Sequence, residues 1–390
     1  MTARTRTTAI VAGGQVAMNA AAYVFSLIAA RLLIPAEFGA VTALLSILQM
    51  GVVASLGLQA AAARRIAVAP EQRQETVSTV VRSTMLASLA VGVVGVIASP
   101  VIAWVLHLDS WWPALLCAAT LMPLTAMGGF IGIAQGSEKW HVVTAVSVAN
   151  GFGRLLAGVA ALLIHPSVTS AMIGIAVGGW VPVLVGIRML DFGSATEDSR
   201  RPLLREALVG THTLFAFYVL CNMDALIARN QLDAHQAGLY AGGLILNKAA
   251  LMAPSFVGVL LYPRFATDAT AASLRLAVTI VAAVGAVATA VTALLPGVAL
   301  VLAGGAQYAE VAHHLWLFTM AGSVWAVVQV LVLDGLARRR KGVALLTWFA
   351  VVTLPALVVL THVGLTGLIL MVGIVGATLA MTLAVTPDGR

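Results

Sequence analysis

Charge is what this chain has least of. Asp, Glu, Lys and Arg together make up 9% of its residues, where a soluble domain carries about 25%. Water would not dissolve the apolar surface that such a chain leaves uncovered, so an ordinary soluble domain is excluded. Cysteine is almost absent as well. Cys117 and Cys221 lie inside apolar segments without Cys-x-x-Cys spacing, which points to neither a disulfide framework nor a zinc site. Enzyme signatures are missing too: the sequence has no Walker loop, no Gly-x-Ser-x-Gly and no His-Glu-x-x-His. No outer loop is long enough for a lumenal catalytic domain. Glu310, His313 and His314 are the one grouping with metal-ligand character, and they are too few for a metal site. A solvated helix start explains them as well. The expectation is therefore a protein that is not an enzyme, with no catalytic residue, no metal and no cofactor.

What the chain does have is apolar length. Hydrophobic residues make up 61% of it. They fall into runs of roughly 20 residues, the length that crosses about 30 Å of hydrocarbon. Twelve spans are expected, near 9–33, 40–62, 83–106, 112–135, 141–164, 168–189, 207–229, 238–261, 274–295, 311–333, 343–362 and 365–385. They should be helices, because in lipid the backbone must satisfy its own hydrogen bonds. A barrel would need short alternating strands instead. The N-terminal MTARTRTTAI has the charge of a signal peptide, but the apolar run after it is too long and no clear cleavage site follows. It reads as the start of the first membrane helix.

The longest strongly polar interval, DFGSATEDSRRPLLRE at 191–206, falls at the midpoint of the chain and divides six spans from six. It is expected to link an N-terminal lobe, 1–195, to a C-terminal lobe, 196–390. Eighteen of the 22 Lys and Arg residues sit in the loops on the linker's side; only Arg31 and Arg229 lie on the other, and Arg154 and Lys248 fall within spans. The positive-inside rule then places the linker and both termini in the cytoplasm. The net charge of +7 is spread over short loops rather than gathered on one face, so nucleic acid is not an expected partner; the lipid bilayer is. Trp104, Trp111 and Trp112 gather at an outer turn and Trp140 at an inner one, as an aromatic belt requires.

Small residues recur every fourth position at Gly128, Gly132 and Gly136, and at Gly174 and Gly178, which suits close helix packing in lipid. The chain also repeats itself weakly. Ala30-Arg31 is followed by Glu37 and Phe38-Gly39-Ala40; Ala228-Arg229 is followed by Asp233 and Ala237-Gly238-Leu239-Tyr240-Ala241. Each stretch forms the outer turn after the first span of its half. Paired repeats of matching topology are a transporter feature, so the two six-helix lobes are expected to be pseudo-symmetric.

Charges inside the spans are the informative residues, since a central Arg, Lys or Asp costs at least about 2.5 kcal/mol on insertion and normally faces a partner or a water-filled cavity. Arg154 is near the middle of the fifth span, with Ser147 and Asn150 on its helix face. Lys248 is near the middle of the eighth, beside Asn247 and with Tyr240 on the Asn247 face. Asp224 is in the outer half of the seventh, close to Asn222. Gln15, Asn19, Tyr23 and Ser26 make a polar stripe leading to Arg31. The simplest arrangement points these faces at a central cavity. Two central cations, with Arg31 and Arg229 at its outer mouth, suit an anionic substrate carrying phosphate. The structural alternative is an ion pair between Asp224 and one of the cations.

The run from Ala30 to Gly39, ARLLIPAEFG, resembles the "ARxLgPaeyG" turn of polysaccharide-biosynthesis flippases, and Gly57-Leu58-Gln59 to Ala63-Arg64-Arg65 resembles the end of their second helix. Asn222-x-Asp224, Ala237 to Tyr240, Lys248, Pro254 and Tyr262-Pro263-Arg264 are similar to a corresponding run in their second half. Gly304 to Tyr308 is similar to their outer loop after the ninth helix. The family is the oligosaccharide-lipid flippase branch of the multidrug/oligosaccharidyl-lipid/polysaccharide exporter superfamily. The resemblance implies two six-helix lobes around a central cavity, in the plasma membrane of a bacterium. It implies movement of a polyprenyl-pyrophosphate-linked oligosaccharide from the inner to the outer leaflet by alternating access, with Arg31, Arg154 and Lys248 on the diphosphate. Glycosyltransferases and a polysaccharide polymerase are the expected protein partners. Without a nucleotide site the drive would be a proton or sodium gradient or the membrane potential, and Asp224 with Asn222 is the coupling candidate. Three alternatives stand beside this one: a multidrug or cation antiporter, a membrane glycosyltransferase or ligase using Glu310, His313 and His314, and a scaffold for polysaccharide assembly.

Overall fold

A computed structural model of the chain describes residues 3–68, 73–190, 203–252, 271–338 and 340–385. Among them there are helices and no strands. The first half contains α1 (Ala3–Leu32), α2 (Pro35–Val68), α3 (Arg73–Val105), α4 (Trp112–Gly136), α5 (Trp140–Ile164), α6 (Val168–Gly179) and α7 (Val181–Met189). The second contains α8 (Leu203–Leu220), α9 (Met223–Gln231), α10 (Ala234–Leu251), α11 (Ala271–Leu294), α12 (Pro296–Ala303), a 3-10 helix (Ala306–His314), α13 (Leu315–Ala337), α14 (Lys341–Thr361) and α15 (Leu365–Val385). Ten of the described helical stretches are long and apolar enough to cross a membrane. The two remaining expected spans fall on α8–α9 and on α10. The protein is thus an all-helical, multi-pass membrane protein of about twelve spans. Only Leu203 to Glu206 of the expected linker is described, as the first turn of α8; 191–202, Pro254 and the Tyr262-Pro263-Arg264 motif lie outside the described residues.

Three differences from the expected spans have physical causes. Helices α2 and α3 run for 34 and 33 residues, about 50 Å each, because hydropathy marks only the part matched to lipid. Their extra turns carry Arg64, Arg65 and Glu75. Two expected spans are broken. The sixth is interrupted at Trp180, just before Pro182, whose ring supplies no N–H; the seventh is interrupted at Cys221–Asn222. Finally, α12 and the 3-10 helix fill what reads in sequence as an outer loop, and they move the start of the tenth span to Leu315. Gly304 and Gly305 join them with φ of 124° and 101°, a backbone that side chains disfavour.

The described chain divides into two compact units, Met1–Phe25 with Leu44–His212 and Ser26–Ala43 with Thr213–Arg390. In the first unit the glycine spacing does what it promised. A Cβ on Gly128, Gly132 or Gly136 of α4 would lie 2.4, 2.6 and 2.7 Å from the carbonyls of Ser55, Gln59 and Ala63 on α2. A Cβ on Gly174 of α6 would lie 2.4 Å from the Ala157 carbonyl of α5. Lipid tails are as apolar as leucine, so helices associate here by close backbone approach.

The second unit is built around Tyr240, Phe318 and Trp325, all buried, with Tyr240 edge-on to Phe318 at 5.0 Å. It also holds the two self-similar turns, and it brings them together. A Cβ on Gly238 would lie 2.0 Å from the Pro35 carbonyl, and one on Gly39 3.0 Å from the Gly238 nitrogen. Around this contact Tyr308 Oη donates to the Ala30 carbonyl at 3.2 Å. Gln307 Nε2 donates to the carbonyls of Ala30 and Leu33. Arg229 donates to the carbonyl of Ala36 at 3.5 Å.

Candidate functional site

The break between α8 and α9 is where backbone and side chains trade places. A continuous helix would give the Asn222 N–H to the Tyr218 carbonyl; here it goes to Val219 at 3.0 Å. Asn222 Nδ2 takes the vacated Tyr218 carbonyl at 2.8 Å. The Ala225 N–H, which a continuous helix would give to Cys221, goes to Asp224 Oδ1 at 2.9 Å. Asn and Asp compete with the backbone in this way, so the two residues make the break themselves. The Cys221 carbonyl is left to Lys248.

Lys248 reaches back from α10 and donates from Nζ to the Cys221 carbonyl and, at 2.9 Å, to Asn222 Oδ1. Asp224 is 2% exposed. Its Oδ2 accepts from the Tyr240 hydroxyl at 3.4 Å, and Tyr240 is itself fully buried. Among the described residues no cation stands within ion-pair distance of Asp224. The structure therefore brings Asn222, Asp224, Tyr240 and Lys248 to the same break, but as two hydrogen-bonded pairs, Asp224 with Tyr240 and Lys248 with Asn222, rather than the ion pair considered from sequence. Asn247, next in the chain, is joined to neither pair by a hydrogen bond among the described residues. It is 2% exposed, its Nδ2 has no partner among the described residues, and its carbonyl packs on Gly322 of α13.

The first unit holds the second polar group. On α5, Ser147 and Asn150 are buried. Asn150 Nδ2 lies 3.5 Å from Met18 Sδ of α1, and its Oδ1 has no partner among the described residues. Glycine again sets the spacing: a Cβ on Gly151 would fall 2.7 Å from the Met18 Cα. Asn19 and Tyr23 lie half-buried on α1, and Arg154 lies half-buried on α5. Arg154 forms no hydrogen bond or ion pair among the described residues. Three buried threonines, Thr120, Thr125 and Thr347, return their hydroxyls to their own helices at 2.7–2.8 Å.

Arg31 lies in the last turn of α1, within the second unit, where it is exposed and donates to the Val301 carbonyl of α12 at 3.2 Å. Glu310 does not join His313 and His314. It meets His235 at 3.1 Å, and the described residues hold no group of three or more His, Cys, Asp or Glu suited to a metal. Both cysteines are free and buried. What sequence reasoning missed is the Cys221 carbonyl; the adjacent helix-breaking pair Asn222 and Asp224 was the available signal.

The comparisons with known proteins agree with this architecture. A family model described as polysaccharide biosynthesis protein matches residues 5–268. No curated protein sequence matches the chain. Among solved structures, the chain is similar to an inward-facing multidrug resistance MATE family transporter of the MOP superfamily. That match has a TM-score of 0.76 and 12% identity, over 94% of this chain and 92% of the other. A MOP superfamily transporter from Pyrococcus furiosus, described as having a binding pocket of reverse polarity and a different function, matches with a TM-score of 0.66 and 12% identity, over 97% and 94%. A Vibrio cholerae MATE transporter matches with a TM-score of 0.65 and 13% identity, over 98% and 94%.

Proposed function

The chain belongs to the polysaccharide biosynthesis protein family, and from that premise we propose that it is a membrane transporter that flips a polyprenyl-pyrophosphate-linked oligosaccharide from the inner to the outer leaflet. The membrane is the plasma membrane of a bacterium, with both termini cytoplasmic, as the uneven distribution of Lys and Arg favours. The observation that carries the reading is the state of the two intramembrane cations. Among the described residues Arg154 has no ion pair, and the hydrogen bonds of Lys248 go to neutral oxygens. A half-buried cation inside a membrane helix is costly without an anionic partner, and an anionic substrate repays that cost. Arg and Lys both bind phosphate well. Two of the three Lys248 donors are occupied, which leaves one for the diphosphate. Asn19 and Asn150 supply neutral polar groups for the saccharide. Movement is by alternating access. The drive is an ion gradient acting on Asp224, with Tyr240 and the Ala225 N–H positioning that carboxylate and Asn222 beside it. Glycosyltransferases make the substrate and a polymerase consumes it.

Leaflet-specific labelling of lipid-linked oligosaccharide in proteoliposomes tests this directly. The expected result is protein-dependent appearance of substrate in the trans leaflet; an unchanged distribution sinks the proposal. Drug export is the rival reading, since solved structures of this fold include multidrug transporters. A site for cationic drugs would favour acids, whereas here the intramembrane cations outnumber the buried acid. Deletion that leaves drug resistance unchanged would dismiss the rival, and protein-dependent efflux of a cationic drug would revive it.

A further inference from the structure

A helix broken inside a membrane presents free carbonyls at the end of its first half, and such ends bind Na+ or H+ in transporters. The Cys221 carbonyl is an end of this kind, because Ala225 gives its N–H to Asp224 instead. Beside it stand Asn222 Oδ1 and the buried Asp224 carboxylate. Four consecutive residues thus supply a backbone carbonyl, an amide oxygen and a carboxylate, the hard oxygen donors that small cations prefer. The position is filled. The Lys248 ammonium donates to two of the three donors, Cys221 O and Asn222 Oδ1. It carries the charge of an alkali ion and, like one, can only be satisfied by oxygens.

We infer that Lys248 is a tethered cation: its ammonium stands on the Cys221 carbonyl and Asn222 Oδ1, two oxygens of an alkali-cation site that the neighbouring Asp224 carboxylate would complete, and so excludes Na+ from the protein. Coupling at Asp224 is then to protons rather than sodium, a consequence that rests on the transport reading above. The binding claim does not rest on it, so a binding experiment separates failure of one from failure of the other.

The test is the melting temperature of the purified full-length protein in detergent, titrated with NaCl against choline chloride at equal ionic strength. A ligand that binds only the folded state raises the melting temperature as it saturates. The wild type should show no Na+-specific rise. Lys248→Ala should show a saturable one, and adding Asp224→Asn to that variant should remove it. Lys248→Gln, which keeps much of the side-chain length, should behave as Lys248→Ala does. A wild type that is stabilised by Na+ as strongly as the variants overturns the inference. So does a folded Lys248→Ala protein that ignores Na+, or a pair of Lys248 variants that stay unfolded in Na+ and choline alike. Rescue of folding by Na+ alone would support it.

Discussion

Lys248 and Arg154 are both cations in apolar helices, yet only one is held. Lys248 makes two charge-assisted hydrogen bonds across the α8–α9 break, whereas Arg154 makes none among the described residues. Hydrogen bonds to charged groups contribute about 1.5–3 kcal/mol each, so a substrate phosphate that gains one such bond from either residue gains affinity of that order. Arg154→Ala and Lys248→Ala should therefore each slow flipping about tenfold or more, the equivalent of about 1.4 kcal/mol. The amount of each variant in the membrane, read by immunoblot, should stay the same. Misfolding of both would favour a purely structural role for these cations. Asp224→Asn should leave flipping insensitive to an imposed ion gradient in proteoliposomes; flipping that remains fully gradient-dependent would remove Asp224 from the coupling. These residues were visible in the sequence because charge is so scarce there. Their relationships were not: in place of an ion pair between Asp224 and one of the cations, Asp224 meets Tyr240 and Lys248 meets Cys221 and Asn222, through bonds that only three-dimensional placement defines.

At the scale of helices, glycine decides how closely neighbours approach. A Cβ on Gly132 would meet the Gln59 carbonyl at 2.6 Å, and backbone cannot step aside as a side chain can. Gly132→Val should lower stability by about 1–3 kcal/mol, the usual cost of overpacking, read as a fall in melting temperature relative to the wild type. Gly238→Val should be worse, since its Cβ would lie 2.0 Å from the Pro35 carbonyl. We expect little folded protein by size-exclusion chromatography, while Gly297→Ala, where a Cβ meets nothing within 4 Å, should elute normally. The four-residue glycine spacing was legible because helical periodicity puts those positions on one face. The break in the seventh span was marked only by Asn222 and Asp224, two polar residues that read as a site within a continuous helix rather than as its interruption. The 3-10 helix from Ala306 to His314 was hidden for the opposite reason: a short polar stretch reads as loop whatever its backbone does.

For the whole molecule, orientation is the property the sequence states most strongly. In a variant with Cys117 and Cys221 replaced by Ala, Ile34→Cys should react with a membrane-impermeant maleimide in intact cells, and Ser199→Cys only after permeabilisation. The opposite pattern would invert the topology. The sequence by itself determined that the chain lives in a membrane, that it is helical, and about how many times it crosses. Those properties follow from composition and run length, which are additive along the chain and need no partner. It also marked the repeated outer turns around Gly39 and Gly238. Only the tertiary structure decided that these turns meet each other. The same holds for residues 26–43, which belong with the second compact unit, and for the Cys221 carbonyl, which became an acceptor for Lys248. Each of these is a contact between residues far apart in sequence or a backbone group freed by a local break, and hydropathy and charge record neither who meets whom nor which carbonyl is freed.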